Sequence, residues 1–196
     1  MLQPATRDTR ALSGPTRLAH LFMSQFIQPG DLAVDATCGN GHDTLLLANL
    51  VGPSGRVWAF DVQERAISAT SRRLGQAGMA ERVELILGGH ESLAEQVPTP
   101  VRGVMFNLGY LPGGDRSIIT RPKTTRTALD QALSLLLPGG ILAVTAYPGH
   151  AGGDCEEEML REWSATLPQP LFHAWRMGQV NTPPGAPYLI LIQKAA

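Results

Sequence analysis

Short apolar runs alternate along this chain with stretches whose apolar residues recur at helical spacing. Leu32–Asp35 is an apolar run after Pro29-Gly30, and it leads into the glycine-rich Thr37–Gly41. His42–Leu50 then carries leucines on one helical face, with Asp43 and Thr44 near its start as capping candidates. The same rhythm predicts strands at Arg56–Asp61, Val83–Leu87, Val101–Asn107 and Ile141–Tyr147, the last launched from Pro138-Gly139-Gly140. Helices are predicted at Pro15–Ile27, Glu64–Gln76, Thr124–Leu137 and Asp154–Leu167. Phe172–Met177 and Tyr188–Gln193 follow as two strands with no helix between them.

Strands separated by helices form right-handed βαβ units, which build a parallel sheet covered on both faces. The final pair, joined by a Pro/Gly turn, predicts an antiparallel hairpin at one edge. The expected fold is α/β: a three-layer αβα, doubly wound sandwich around a mostly parallel seven-stranded sheet. At 196 residues the chain suits one domain, with Met1–Gly14 expected as a mobile arm. A hydrophobic share of 43% with 17% charged residues argues against long disorder. No apolar run approaches the roughly 18 residues of a membrane helix, and no secretory leader pattern opens the chain. Cys38 and Cys155 form no C-x-x-C pair, so neither a disulfide framework nor a cysteine zinc site organises the fold. The expectation is a soluble, cytoplasmic protein without a metal centre.

The formal net charge of -1 conceals segregation. Arg116, Arg121, Lys123 and Arg126 share a stretch without acids, whereas Asp154–Glu162 carries five acids against Arg161.

In a doubly wound sheet, ligands bind outside the carboxyl ends of the strands, where the topology reverses. The first strand ends there in Asp35-Ala36-Thr37-Cys38-Gly39-Asn40-Gly41-His42-Asp43-Thr44. Gly39 and Gly41 allow a sharp turn that brings main-chain N–H groups against a ligand, and the following helix start favours negative charge. Asp61, at the end of the next strand, can accept the hydroxyl protons of a ribose. A dinucleotide fingerprint would place glycine where Thr44 stands, and Asp35 would repel a pyrophosphate. The same acid suits the cationic α-amino group of S-adenosylmethionine. The charge pattern therefore favours that methyl donor over a nicotinamide cofactor.

Asn107-Leu108-Gly109-Tyr110-Leu111-Pro112-Gly113-Gly114-Asp115 follows the fourth strand. An Asn carbonyl there can accept an amine N–H and aim the nitrogen lone pair at a methyl group, which is catalysis by positioning. Tyr110 is placed either to stack on a base or to wall off the pocket. Gly89 and His90 follow the third strand, where an adenine would lie, although a histidine there also suits a helix start. His150 follows the fifth strand, either near substrate or in a flexible connection.

Taken together, DATCGNGHDT at 35–44, FDVQ at 60–63 with Ala66-Ile67, GHE at 89–91, NLGYLPGGD at 107–115 and the glycines around His150 resemble the small methyltransferase family labelled rRNA-methylase-like. Its characterised members methylate the aminomethyl group of 5-aminomethyl-(2-thio)uridine at the tRNA wobble position. The resemblance runs from about His20 to the end of the sequence. It implies the class I methyltransferase fold, S-adenosylmethionine as donor and a modified tRNA as acceptor. Asp35, Gly39, Gly41, Asp61 and Gln63 map onto cofactor positions, and Thr37, Asn40, Asp43, Thr44, Gly89, His90 and Asn107 are further cofactor-binding candidates. Asn107 and Tyr110 map onto the catalytic rim. The acceptor amine, with a reference pKa near 10.4, must first lose a proton, for which Asp115 and His150 are the candidates. Arg116, Arg121, Lys123 and Arg126, extended by Arg7, Arg10 and Arg17, are placed to grip phosphates of the anticodon region. A homodimer is left open, as are rRNA or a small amine as acceptor, a nicotinamide-dependent oxidoreductase and a non-catalytic RNA-binding module.

Overall fold

The structure is a computed structural model that describes residues 13–115, 117–149 and 153–196. The expectations for Arg7, Arg10, Arg116, His150 and the start of the N-terminal arm lie outside those residues. Helix α1 spans Pro15–Phe26, followed by β1 Leu32–Asp35, α2 His42–Val51, β2 Arg56–Asp61, α3 Glu64–Gln76 and β3 Val83–Leu87. The chain continues with the one-turn α4 Leu93–Gln96, β4 Val101–Asn107, α5 Pro122–Leu135, β5 Leu136–Ala146 and α6 Gly153–Ala165. The strands β6 Phe172–Gly178 and β7 Tyr188–Lys194 complete it.

Seven strands form one sheet in the order β3-β2-β1-β4-β5-β7-β6. β1 to β5 pair in parallel, and β7 runs antiparallel to both β5 and β6. Side chains alternate across the strands, as a period of two requires. Val34, Val104, Phe106, Leu142, Val144, Ile190 and Ile192 pack on one face with Ala128, Leu129, Leu160 and Trp163 from α5 and α6. Ala33, Met105, Ile141, Ala143, Leu189 and Leu191 pack on the other with Ala19, Met23, Leu47 and Leu74 from α1, α2 and α3. These are the three expected layers. None of the helices among the described residues is long and apolar enough to cross a membrane.

Several boundaries shift by one or two residues, and the larger differences lie at α5 and β5. Pro122 sits at the first position of α5, where its missing N–H costs nothing. β5 begins at Leu136, before Pro138-Gly139-Gly140 rather than after it. Leu136 pairs with Val101 and Ile141 with Gly103, so the Pro-Gly-Gly segment bulges out of a continuing strand. Arg102 holds the bulge by donating from Nη1 to the Pro138 carbonyl at 3.0 Å.

The chain leaves β1 for β2 on one side, whereas β4 lies on its other side. The carboxyl ends of β1 and β4 therefore flank the point of topological reversal, and the candidate site forms there.

Candidate active site

The turn after β1 is held from three directions. Asp61 Oδ2 accepts the Gly39 N–H at 3.0 Å and Oδ1 accepts the Gln63 N–H at 2.9 Å. The Thr70 hydroxyl donates to the Gly39 carbonyl at 3.1 Å, and Arg73 Nε donates to the Asn40 carbonyl at 2.8 Å. Asn40 Nδ2 in turn donates to the Pro112 carbonyl at 3.2 Å, tying the turn to the loop after β4. Gly41 adopts φ 77°, and a Cβ there would stand 2.8 Å from Thr70 Oγ1. Only glycine gives both the left-handed turn and that close approach.

Asp35 does not reach the surface of the site. It is 1% exposed. Its Oδ2 accepts the Thr44 hydroxyl at 2.6 Å, and its Oδ1 accepts the Thr37 N–H at 3.2 Å. The structure thus corrects the expected position: the acid stands behind the turn instead of facing a ligand. Burial, and then the charge of Asp43, push its carboxyl up to about 7. Gly41 and Thr44 share this placement and are absent from the cavity wall. Neither Asp43 nor Thr44 caps α2; the N-cap position is Gly41 and no side chain bonds there.

Asp43 is turned into the site. Its Oδ1 accepts His20 Nε2 at 2.6 Å, and its Oδ2 accepts Asn107 Nδ2. Asn107 at the end of β4 also donates its main-chain N–H to Thr37 Oγ1 at 2.7 Å. Beyond it, Tyr110 pairs across the loop with Ile119 in an antiparallel bridge. The loop is pinned where Gly109 N–H meets Thr120 Oγ1 at 2.8 Å, and the Thr120 hydroxyl donates to the buried Glu156 at 2.9 Å. Asp115 points away. It lies off the cavity wall, and its carboxyl falls below the ordinary range because the Ser117 N–H and hydroxyl both donate to it. An exposed acid so stabilised is a poor proton acceptor.

These elements enclose a cavity of about 1650 Å³. Thr37, Gly39, Asn40, Asp43, Asp61, Gln63, Gly89, His90, Asn107 and Tyr110 all line it. Arg17 and Arg121 line it too, whereas Lys123 and Arg126 do not. The volume exceeds the roughly 300–1,000 Å³ of single small-ligand pockets, and the cavity is open to solvent on one side. Two buried polar atoms on this wall lack partners: Asn107 Oδ1 and His90 Nε2. Burying such atoms is costly unless a ligand satisfies them. Burial holds His90 below its ordinary pKa, hence neutral, with its ring edge-on to Phe106. Asp61 is raised by burial, yet its carboxylate still faces the cavity.

Sequence reasoning missed His20, Thr16 and Tyr147. All three line the cavity, and the Thr16 and Tyr147 hydroxyls lie 3.0 Å apart. They come from α1 and the end of β5, which no motif connects. A polar face on an otherwise apolar helix was the only available signal.

Residues 57–193 match the model of the family described as "Putative rRNA methylase". The chloroplastic tRNA (mnm(5)s(2)U34)-methyltransferase of Arabidopsis thaliana is 42% identical over 189 residues, spanning 91% of this chain and 69% of that protein. A Clostridium thermocellum protein described in the family's own words has a crystal structure that superposes with a TM-score of 0.91. It is 42% identical, with 94% of this chain and 99% of that one covered. A Streptococcus mutans "putative methyltransferase", solved in complex with SAH, is 38% identical with a TM-score of 0.85 over 94% of this chain and 99% of that one.

Proposed function

The chain belongs to the rRNA methylase family, and on that premise we propose that it is an S-adenosylmethionine-dependent N-methyltransferase acting on the aminomethyl group of 5-aminomethyl-(2-thio)uridine at the tRNA wobble position. The observation that carries this reading is the side-chain amide of Asn107. Its nitrogen is committed to Asp43, while its oxygen is buried on the cavity wall without a partner. That oxygen matches an amine N–H.

When bound, S-adenosylmethionine supplies a methyl group activated on a positively charged sulfur. The residues present fit it: Asp61 and Gln63 can hold ribose hydroxyls, and His90 Nε2 can meet the adenine. SAH in the S. mutans relative supports the same cofactor here.

Asn107 Oδ1 holds the acceptor amine by an N–H and leaves its lone pair directed at the methyl. Tyr110 closes the pocket beside it. Arg17 and Arg121 on the cavity wall, with Lys123 on the same α5 entrance, supply cations for phosphates. This favours a nucleic acid over a small amine. The tRNA-specific name of the A. thaliana relative supports the wobble uridine as target.

The test is mass spectrometry of nucleosides after incubating the protein with labelled S-adenosylmethionine and tRNA carrying the aminomethyl precursor. One labelled methyl on that nucleoside is expected. Label found only in rRNA or on free amines would move the acceptor elsewhere.

A further inference from the structure

Building on that reading of methyl transfer to an amine, we propose that His20 is a positioning residue, acting through Asp43 to fix the Asn107 amide with its oxygen toward the acceptor. The three side chains form one chain of hydrogen bonds. His20 Nε2 lies 2.6 Å from Asp43 Oδ1, and Asn107 Nδ2 bonds to Asp43 Oδ2. A carboxylate only accepts, so both neighbours donate. That settles the rotation of the amide. With Nδ2 turned to Asp43, Oδ1 must face the other way, where it is buried and unpartnered. The flipped amide would set oxygen against oxygen.

His20 does for Asp43 what Asp43 does for Asn107. A carboxylate held at one oxygen swings about its own axis; held at both, it is fixed. The donor arrives on α1, which is seated by the buried Ala19 and Met23 against Met105, Ile141, Leu189 and Leu191. Among the described residues, the titratable or charged groups that line the same cavity include Asp43 and His42 from α2, Arg17 on its own helix, Arg121 at the start of α5, the Tyr147 phenol beyond β5, and Asp61, His90, Glu91 and Tyr110. A negative charge behind the Asn107 N–H also polarises the amide, making Oδ1 a stronger acceptor.

The chemistry balances without a further reactant. The acceptor ammonium first gives a proton to water. Its lone pair then forms the N–C bond as the S–C bond breaks. The bonding pair stays on sulfur, and the positive charge passes to nitrogen, facing the polarised amide.

A double-mutant cycle on the full chain tests this, read by single-turnover methyl transfer to aminomethyl-uridine tRNA. His20→Ala should lower kcat about 10²-fold while the SAH Kd and the tRNA KM stay within about threefold. His20→Gln, which keeps an N–H donor but cannot titrate, should recover most of that loss and preserve the pH profile. Combining His20→Ala with Asn107→Ala should be no slower than Asn107→Ala alone, because the effect runs through Asn107. Independent, multiplying losses would overturn the proposal. So would a His20→Gln enzyme as slow as His20→Ala with the acidic limb of its profile gone, since His20 would then carry the proton itself. A wild-type protein that transfers no methyl to this tRNA would refute the functional reading first, and the positioning role with it.

Discussion

The main-chain N–H of Gly39 donates to Asp61 Oδ2 at 3.0 Å, so the turn after β1 is fastened to the end of β2 by the same carboxylate that faces the cavity. Asp61 therefore shapes the turn while its carboxylate lines the cavity. Hydrogen bonds to a charged group contribute about 1.5–3 kcal/mol each. Asp61→Ala should weaken SAH binding by about ten- to a hundredfold, measured by calorimetry. An unaltered Kd would remove Asp61 from cofactor recognition.

Gly41→Ala should cost at least about 2 kcal/mol of stability. The new Cβ would sit 2.8 Å from Thr70 Oγ1 and 2.9 Å from Thr70 Cα, in a backbone at φ +77°. One of these clashes is with backbone, so adding Thr70→Ala should not restore the loss. Urea unfolding of the single and double variants checks both statements.

Asp35 makes stability depend on pH with a defined sign. Its carboxyl is raised from 3.8 to about 7 by burial and the Asp43 charge. Between those values the folded chain keeps a proton that the unfolded chain has released. Its stabilising contribution is complete below the unfolded value and is lost as the pH climbs through about 7. Asp35→Asn, which cannot ionise, should lose less stability than wild type as the pH rises through that interval. Parallel curves in chemical denaturation would contradict this assignment.

Arg17 and Arg121 line the cavity, whereas Arg126 bonds through Nε to Asp130 at 3.1 Å along α5. Arg17→Ala and Arg121→Ala should each make the log–log salt dependence of tRNA binding shallower by about 0.7–0.9. Arg126→Ala should change it less, because part of that cation is already compensated. Filter binding across a salt series separates the two outcomes.

Much of the architecture is legible from residue pattern alone. β1, β2, α3, β3 and β4 begin and end where apolar runs and turn residues place them, even though β3 is only half-buried and α3 buries a single face. β5 was harder. Pro138-Gly139-Gly140 reads locally as a strand start, and only the pairing of Leu136 with Val101 shows the strand already running before it. α4 is a single turn, too short for any periodic signal. At the site, the glycine turn, Asp61 and Asn107 are visible because their positions along the strands dictate where they point. Asp35 is not: an acid at a strand end can face a ligand or its own loop, and the Thr44 hydroxyl decides for the loop. His20 belongs to no motif, as its partner is 23 positions away on another helix.

β7 is made after β6 but lies between β6 and β5. A growing chain that has reached β6 has nowhere to put it, because the strand it must pair with does not yet exist. Leu189 and Leu191 of β7 also form part of the bed on which α1 rests. The first helix thus waits on the last strand, and the histidine it carries reaches its carboxylate only when that strand slots in. Assembly order couples α1 to β7, so a ribosome-bound intermediate with six strands is expected to hold the Gly39–Gly41 turn yet lack a finished cavity wall.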